Sequence, residues 1–315
     1  MCALAPSVAS AHDDGAEMTV MVTGASGVLG RAIVAALVER DEVRATVRRP
    51  EAGDALRALG AKVAVLPIDE PDELIEILPR VHTIVHLVGG VNQSSDDEIL
   101  AANHGSTLAV VTGAKEAGVR RLILLSVPGA SIDHPHPFVR AKALAEEVVV
   151  QSGLEHAVLR ASHAYGLGGL WFASTVVGAD HGFVVGDGSQ RWAPVLADDV
   201  ASVVVAIDDR RDPIEGVWSL GGPDDLTADE VFSIAGEGGT PAHLDPSDAA
   251  ERLTTLLEIP VSVRTTEFLA APSIADAPDA AAEFGVPTAP FEAGLRAVAA
   301  KVSAAQVLAE GGGSD

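Results

Sequence analysis

The sequence predicts an α/β protein: a Rossmann-type, doubly wound parallel sheet with a small C-terminal substrate lobe. From residue 18 to about residue 160, short apolar runs alternate with segments whose apolar residues recur at helical spacing. A glycine-rich turn joins the first predicted strand to the first predicted helix. Alternation at this pitch is typical of βαβ units, which build parallel sheets.

Six predicted strands and five predicted helices make up a dinucleotide-binding domain over residues 18–165. The strands are residues 19–23, 43–47, 63–66, 83–88, 122–126 and 156–160. The helices are residues 28–38, 52–59, 72–78, 97–117 and 137–151. Gly118 is the predicted C-cap of the long fourth helix.

Residues 166–308 are predicted to complete the sheet and to form the substrate lobe, because regular alternation gives way here to glycine-rich turns. The elements predicted in this half are a helix at 199–207, a strand at 216–220 and a last helix at 291–308. We expect residues 166–171 and 182–192 to line the substrate pocket. Residues 1–17 and 309–315 are predicted to be disordered tails.

The composition argues against several functions. The 315 residues include 21 Lys and Arg against 45 Asp and Glu, and the formal net charge of −24 repels nucleic acid and anionic membranes. No apolar run approaches the roughly 20 residues of a membrane span. Cys2 is the only cysteine, so neither a disulfide nor a metal site is expected, and a cytoplasmic location is predicted. The expected partner is a small-molecule substrate.

The turn after the first predicted strand has glycines spaced as G-x-x-G-x-x-G, directly after Thr23. Glycines permit a tight turn here and let backbone N–H groups approach a pyrophosphate at the positive end of the helix. A simple strand-to-helix connection would also use glycine, but the position within a βαβ unit favours dinucleotide binding. The predicted contacts along the turn are Gly24, Ala25, Ser26, Gly27, Val28, Leu29 and Gly30.

With its leading threonine, this turn resembles that of the short-chain dehydrogenase/reductase superfamily, in its extended and atypical branches of epimerase-like and NmrA-like proteins. The resemblance covers residues 19–223. It also rests on Asp69, residues 86–89, residues 103–106, Ser126, Lys142, residues 160–166 and residues 199–201.

The resemblance implies further cofactor contacts. Asp69 would meet the adenine, Leu87, Val88 and Gly89 would lie along the dinucleotide, and Lys142 would hold the nicotinamide ribose. Asp69, and Asn103 from the segment 103–106, also have simpler structural explanations. Asp69 could cap the helix that follows it, and Asn103 could hydrogen-bond within its own helix.

The end of the second predicted strand favours NADP(H) over NAD(H). An acidic residue at this point accepts hydrogen bonds from the ribose 2′-OH of NAD, whereas arginine accommodates a 2′-phosphate. Here the strand ends in Arg48 and Arg49, and no carboxylate precedes Glu51. We expect Arg48 and Arg31 to contact the phosphate, with Arg49 a lesser candidate. Solvated surface charge is the alternative explanation.

The superfamily's proton-transferring tyrosine is absent from its usual position. Alignment on Lys142 places Phe138 there, and Phe has no proton to transfer. The only tyrosine, Tyr165, lies after the sixth predicted strand. The remaining catalytic candidates are Ser126, Lys142 and His136.

Three explanations of the missing tyrosine stay open. A substitute acid among Asp133, His134 and His136 could serve the reaction, hydride transfer could proceed without tyrosine, or the cofactor could bind without turnover. The favoured explanation for the histidines here, and also for His163 and His181, is that they are exposed loop residues. The sequence therefore predicts an NADP-dependent oxidoreductase or sugar-nucleotide-epimerase-like enzyme, with a non-catalytic, NADP(H)-sensing regulatory protein of NmrA-like type as the alternative.

Overall fold

The structure is a computed structural model that describes residues 18–236 and 238–311. The strands are β1 (Thr19–Thr23), β2 (Glu42–Val47), β3 (Lys62–Val65), β4 (Val81–His86), β5 (Arg121–Ser126), β6 (Glu155–Ala161), β7 (Ala164–Tyr165), β8 (Phe183–Val185), β9 (Arg191–Trp192), β10 (Val195–Leu196), β11 (Glu215–Leu220), β12 (Leu226–Thr227) and β13 (Ala242–Leu244). The helices are α1 (Val28–Leu37), α2 (Asp54–Ala58), α3 (Pro71–Ile77), α4 (Asp96–Leu100), α5 (Ser106–Ala117), α6 (Pro137–Val150), α7 (Leu170–His181), α8 (Ala197–Asp208), α9 (Ala228–Ala235), α10 (Pro246–Leu257), α11 (Val263–Leu269), α12 (Ala280–Phe284) and α13 (Phe291–Gly311).

Seven parallel strands form the central sheet in the order β11-β6-β5-β4-β1-β2-β3. The chain runs outward from β1 to β3, returns to β4 beside β1, and then runs outward in the other direction. The strand order therefore reverses between β1 and β4, the point at which open α/β sheets bind ligands. The predicted doubly wound Rossmann fold is confirmed.

Helices cover both faces of the sheet, so the central strands β1 and β5 are buried at every position. On one face, α1 and α8 pack together over the sheet, with Ile33 and Val203 fully buried. On the other face, α3, α5 and α6 bury residues such as Leu74 and Val149. Because the strands are parallel, the carboxyl ends of β1, β4, β5 and β6 lie along one edge of the sheet, between the two layers of helices.

The predicted helix at 97–117 is interrupted in the structure. Its α-helical parts, α4 and α5, are joined by one π-helical turn at Ala101–Gly105. Gly118 ends α5 in the left-handed conformation, with φ 71°, as its predicted C-cap. A π-turn inserts one residue into a helix and is common at functional sites.

The second half contains more helix than the sequence pattern predicts. Helix α7 occupies a segment that is apolar almost throughout, so the helical periodicity that would have revealed it is absent. Helices α10, α11 and α12 lie in the Pro- and Ala-rich segment. Helix α13 runs to Gly311 instead of ending at residue 308, so the first three residues of the predicted tail at 309–315 are helical. The rest of that tail, and the predicted tail at 1–17, lie outside the described residues.

The C-terminal lobe has its own small core. Three two-stranded sheets, β7 with β10, β8 with β13 and β9 with β12, support this lobe together with α7, α9 and α11. Trp171, Trp192, Phe232 and Phe291 are buried at its centre. The lobe lies beside the carboxyl edge of the central sheet and faces it across a cleft.

A hydrogen-bonded chain through His86 joins β1, β4 and α5 at the switch point. The Thr107 hydroxyl donates to the Asn103 carbonyl at 2.7 Å, so at His86 it must accept, and Nε2–H of His86 donates to it at 3.1 Å. His86 Nδ1 then accepts from the Thr23 hydroxyl at 2.7 Å. His86 is fully buried, and burial lowers its pKa to about 3, so the ring stays neutral.

Replacing the acceptor in this chain should destabilise the fold. We expect Thr107→Val to lower the free energy of unfolding by about 1–3 kcal/mol, because the buried Nε2–H of His86 loses its partner. The matched control is Thr112→Val on the same helix, whose exposed hydroxyl bonds only its own helix at Leu108. Urea unfolding of both variants tests this, and equal losses in the two would contradict a structural role for the chain.

Candidate functional site

A continuous cleft follows the carboxyl edge of the sheet. Its inner part has a volume of about 300 Å³ and lies against the C-terminal lobe. Its outer part, about 280 Å³, extends over the ends of β2 and β3. The two parts share a lining of Gly24, Gly27, Leu87 and Gly89, so they meet at the predicted glycine turn.

The first and third glycines of the turn are required by the fold. Gly24 has φ 67°, and an added Cβ would lie 3.0 Å from the Leu87 carbonyl carbon and the Val88 nitrogen. At Gly30 a Cβ would lie 2.5 Å from the Cα atom of Ala25. Ala25 is fully buried and lines neither part of the cleft, so the structure does not support its expected contact with a cofactor.

Gly27 has no such structural requirement. Its φ of −71° suits any residue, and an added Cβ would meet only the Gly24 carbonyl oxygen, at 3.5 Å. Gly27 lines both parts of the cleft and is the N-cap of α1. A side chain here would fill the cleft rather than disturb the protein.

The amino end of α1 is suited to an anion. The helix has no side-chain cap and no acidic residue in its first turn, so its positive end opens on the cleft without a competing carboxylate. Ser26 lines the outer part, while Val28 and Leu29 line the inner part. Together with Gly27, this cradle fits the pyrophosphate of a dinucleotide.

Arg48 lies at the outer end of the cleft, beside Thr46 and Val47. Its side chain is exposed and forms no ion pair within the described residues, whereas the neighbouring Arg49 pairs with Glu51 at 3.6 Å. Arg48 is therefore free to contact a bound phosphate.

The structure separates Arg31 from Arg48. The Arg31 guanidinium donates to the Ser26 carbonyl at 2.6 Å and to the Leu167 carbonyl at 2.7 Å. It lines a different cleft, between α1, α8 and α13. This placement does not support the expected phosphate contact from Arg31, because Arg31 lines neither part of the cleft that contains the glycine turn.

Asp69, the residue expected to contact the adenine, does not line the cleft. Asp69 is exposed in the turn before α3, and its neighbours Leu66 and Ile68 line the outer part of the cleft instead. The alternative use as a helix cap is not observed either, since the N-cap of α3 is Glu70. Apolar side chains in this place suit the face of an adenine ring.

Leu87, Val88 and Gly89 form the floor between the two parts of the cleft. Gly89 has φ 129°, and an added Cβ would lie 2.1 Å from Oδ1 of Asn103. The Asn103 amide donates to the Ile99 carbonyl at 2.8 Å and to the Gly90 carbonyl at 3.2 Å. Asn103 thus hydrogen-bonds within its own helix and also to the loop at Gly89 and Gly90 that follows β4.

Lys142 lies where the cofactor floor meets the C-terminal lobe. Its ammonium group donates to the Leu125 carbonyl at 3.0 Å and lies 5.9 Å from the centre of the Phe138 ring. Burial lowers the pKa of Lys142 to about 8, although the nearby Glu146 carboxylate opposes this shift. A lysine with such a pKa exchanges protons near neutral pH.

Ser126 also lines this part of the cleft. Its hydroxyl donates to the buried carboxylate of Glu146, which accepts from Arg160 at 2.7 Å. The serine proton is therefore held by an ion pair beneath the cleft. A bound ligand could still donate to the Ser126 oxygen, which makes this residue a positioning group rather than an acid.

His136 does not lie in the cleft wall. It is the N-cap of α6: Nδ1 accepts from the Phe138 amide at 3.3 Å, and Nε2 donates to the Arg264 carbonyl at 2.9 Å. Burial lowers its pKa. Because both ring nitrogens are engaged in structural hydrogen bonds, the structure does not support His136 as the substitute acid.

The inner end of the cleft holds several aromatic residues, of which the sequence predicted only Trp171 at the substrate pocket, as part of residues 166–171. His163, expected as an exposed loop residue, is only 5% exposed and lines the cleft with Phe138, Trp171 and Phe268. These residues come from four separate segments of the chain. No spacing in the sequence connects them, although aromatic residues make up only 3% of the chain and so stand out.

Comparison with known proteins agrees with this geometry. Residues 24–209 match the model of a family described as NAD(P)H-binding. A mitochondrial protein of Arabidopsis thaliana, NADH dehydrogenase (ubiquinone) 1 alpha subcomplex subunit 9, is 29% identical over 68% of this chain and 56% of its own. A 4-hydroxy-2-methyl-3-oxo-4-farnesyl-3,4-dihydroquinoline-1-oxide ketoreductase of Stigmatella aurantiaca is 31% identical over 43% of this chain and 46% of its own. The chain thus spans about half the length of these curated relatives.

Solved structures share the fold. The UDP-glucuronic acid 4-epimerase of Bacillus cereus, in complex with UDP-glucuronic acid and NAD, superposes with a TM-score of 0.69 over 89% of this chain and 97% of its own, at 18% identity. The fold and the cleft define a nucleotide-binding Rossmann protein. The chain belongs to the NAD(P)H-binding family and has the fold of the extended and atypical short-chain dehydrogenase/reductases. No helix among the described residues is long and apolar enough to cross a membrane.

Gly27 offers a direct test of the cofactor cradle. We expect Gly27→Val to weaken NADPH binding at least about 100-fold, since the branched side chain occupies the space above the α1 amides. The thermal unfolding temperature of Gly27→Val should change little. The NADPH affinity of Gly27→Ala should lie between those of the wild type and Gly27→Val. Calorimetric titration measures the affinity, and unchanged binding in a folded Gly27→Val protein would rule out this cradle.

Proposed function

We propose that the protein is an NADP(H)-dependent oxidoreductase that acts on a small carbonyl or alcohol substrate. The observation that carries this proposal is the position of Lys142, a buried ammonium group at the junction of the dinucleotide cradle and the aromatic end of the cleft. When bound, the cofactor supplies or accepts a hydride. The chain itself must then supply the proton and exclude water.

Lys142 is suited to the proton transfer that the missing tyrosine would perform. In reduction, its ammonium form gives a proton to the developing alkoxide of the substrate and is recharged from solvent. In oxidation, its neutral form takes the hydroxyl proton. Lys142 is the one group lining the inner part of the cleft whose pKa, about 8, lies near neutral pH, because the pKa of His163 is lowered to about 3.

A second candidate is favoured by Phe138. This ring is buried against Phe268, with the ring centres 4.8 Å apart, and packs with Ile99 and Val139. The tyrosine position is thus part of a stable apolar cluster. An apolar side chain at this position fits a protein that binds NADP(H) without turnover. Its function would then be to signal the state of the cofactor to a protein partner.

The proposed preference for NADP(H) rests on Arg48. We expect Arg48→Ser to weaken NADPH binding by about 10- to 100-fold, the cost of a charge-assisted phosphate contact, and to leave NADH binding nearly unchanged. Arg49→Ser is the matched control, because that exposed side chain pairs with Glu51. Parallel titration of the three proteins decides the point. Equal losses for both cofactors would contradict a 2′-phosphate contact.

The role of Lys142 predicts a pH dependence. Reduction of an aromatic aldehyde by NADPH should be fastest below about pH 8 and should fall about tenfold per pH unit above it, as the ammonium form is lost. Lys142→Met should be at least about 100-fold slower, with no break near this pH. A break that persists in Lys142→Met would remove Lys142 from proton transfer, and binding without any turnover would favour the second candidate.

A further inference from the structure

The inner end of the cleft is an aromatic box built around His163. The imidazole stacks on Trp171 with ring centres 5.2 Å apart and an interplanar angle of 17°. The rings of Trp192 and Phe268 meet it edge-on at 5.5 Å and 5.4 Å. Phe138 closes the box by packing against Phe268. Flat apolar faces on several sides favour a planar aromatic ligand over a sugar.

His163 carries an unpaired hydrogen-bond acceptor inside this box. Its ring hydrogen-bonds the Ala271 backbone, while Nε2 is buried and has no partner within the described residues. Burial lowers the pKa of His163 to about 3, so the ring is neutral. A neutral imidazole that donates through one nitrogen presents a lone pair on the other. Nε2 therefore suits a ligand that brings an O–H or N–H donor.

The charges along the inner cleft are unsuited to a sugar nucleotide. Lys142 is the only Lys or Arg among the residues that line this part. Nearby arginines are already paired: Arg160 with Glu146 and Asp276, and Arg264 with Asp96. A nucleoside diphosphate would bring two further negative charges into the inner part of the cleft of an acidic protein, where Lys142 is the one lining cation to receive them.

A smaller apolar cavity of about 30 Å³ lies behind the box. Trp171 and Leu269 line both this cavity and the inner part of the cleft. Phe183, Trp192 and Phe232 line the small cavity. Two polar atoms there, Oγ of Ser174 and Nε1 of Trp171, have no partner within the described part of the chain. The cavity has room for a small substituent of a ring held in the box.

We infer that the inner cleft binds an uncharged aromatic ring carrying a hydroxyl or N–H donor, which hydrogen-bonds Nε2 of His163, and that it rejects nucleoside diphosphate sugars. As a statement about the substrate, this inference rests on the proposed oxidoreductase function. The ligand ring would pack in the inner cleft against the cluster of Phe138, His163 and Phe268, with its carbonyl toward Lys142. His163 is then a specificity-determining residue and takes no part in proton transfer.

The test compares two aromatic aldehydes that differ only in the donor. We expect a hydroxynaphthaldehyde to bind the protein about tenfold more tightly than the matching methoxynaphthaldehyde, the value of one hydrogen bond to a buried acceptor. His163→Phe, which keeps an aromatic ring but has no acceptor, should abolish this preference, and its thermal unfolding shows whether the box is intact. His163→Asn, which keeps an acceptor, guards against misfolding of the first variant. His181→Phe, at an exposed position on α7, should behave as the wild type.

Each outcome has one meaning when the titrations are made both with and without NADPH. A preference that survives in both His163 variants, or UDP-glucose binding more tightly than either aldehyde, overturns the inference. Failure of both aldehydes to bind while NADPH binds normally also overturns it and leaves the proposed function standing. A His163-dependent preference in a protein that binds no NADPH supports the ligand class and removes the oxidoreductase proposal instead.

Discussion

The buried hydrogen bonds of His86 hold the site together. His86 and Thr23 end the two strands at which the sheet order reverses, and Thr107 connects them to the helix that carries Asn103. This connection sets the close backbone approach of Gly24 to Leu87, where an added Cβ would lie 3.0 Å from the carbonyl carbon. A neutral, fully buried imidazole can bridge the strands in this way only because each ring nitrogen has a hydroxyl partner. The cleft floor is consequently one rigid unit.

On this floor, charge and polarity are divided along the cleft. Its lining contains only two Lys or Arg residues, Arg48 at the outer end and Lys142 at the inner end. In a protein of net charge −24, the isolated cation at the outer end, Arg48, is placed to receive negative charge. The outer end and the open amino end of α1 suit phosphates. The inner end is lined by aromatic rings around His163, so it suits a neutral molecule.

Sequence periodicity was sufficient for the sheet and for the residues fixed by it. Each βα unit has a local pattern, and once the strands are parallel the glycine turn, residues 87–89 and Lys142 must meet at their carboxyl ends. Trp171 and Trp192 of the aromatic box fall in the segments expected to line the substrate pocket. The rest of the box could not be predicted, because its contacts join segments far apart in the chain and leave no spacing to read. The π-turn is a single-residue insertion with no sequence signature, and His136 caps a helix through partners that only the folded protein brings near.

We propose that this cleft binds NADP(H) with the 2′-phosphate of the cofactor at the outer end, beside Arg48. The most direct measurement is a parallel calorimetric titration of the unmodified protein with NADPH, NADP⁺, NADH and NAD⁺. We expect NADPH and NADP⁺, which carry the 2′-phosphate, to bind at least about tenfold more tightly than NADH and NAD⁺ respectively. Tighter binding of NADH would contradict the assignment of Arg48, and no binding of any of the four would contradict the assignment of the cleft itself.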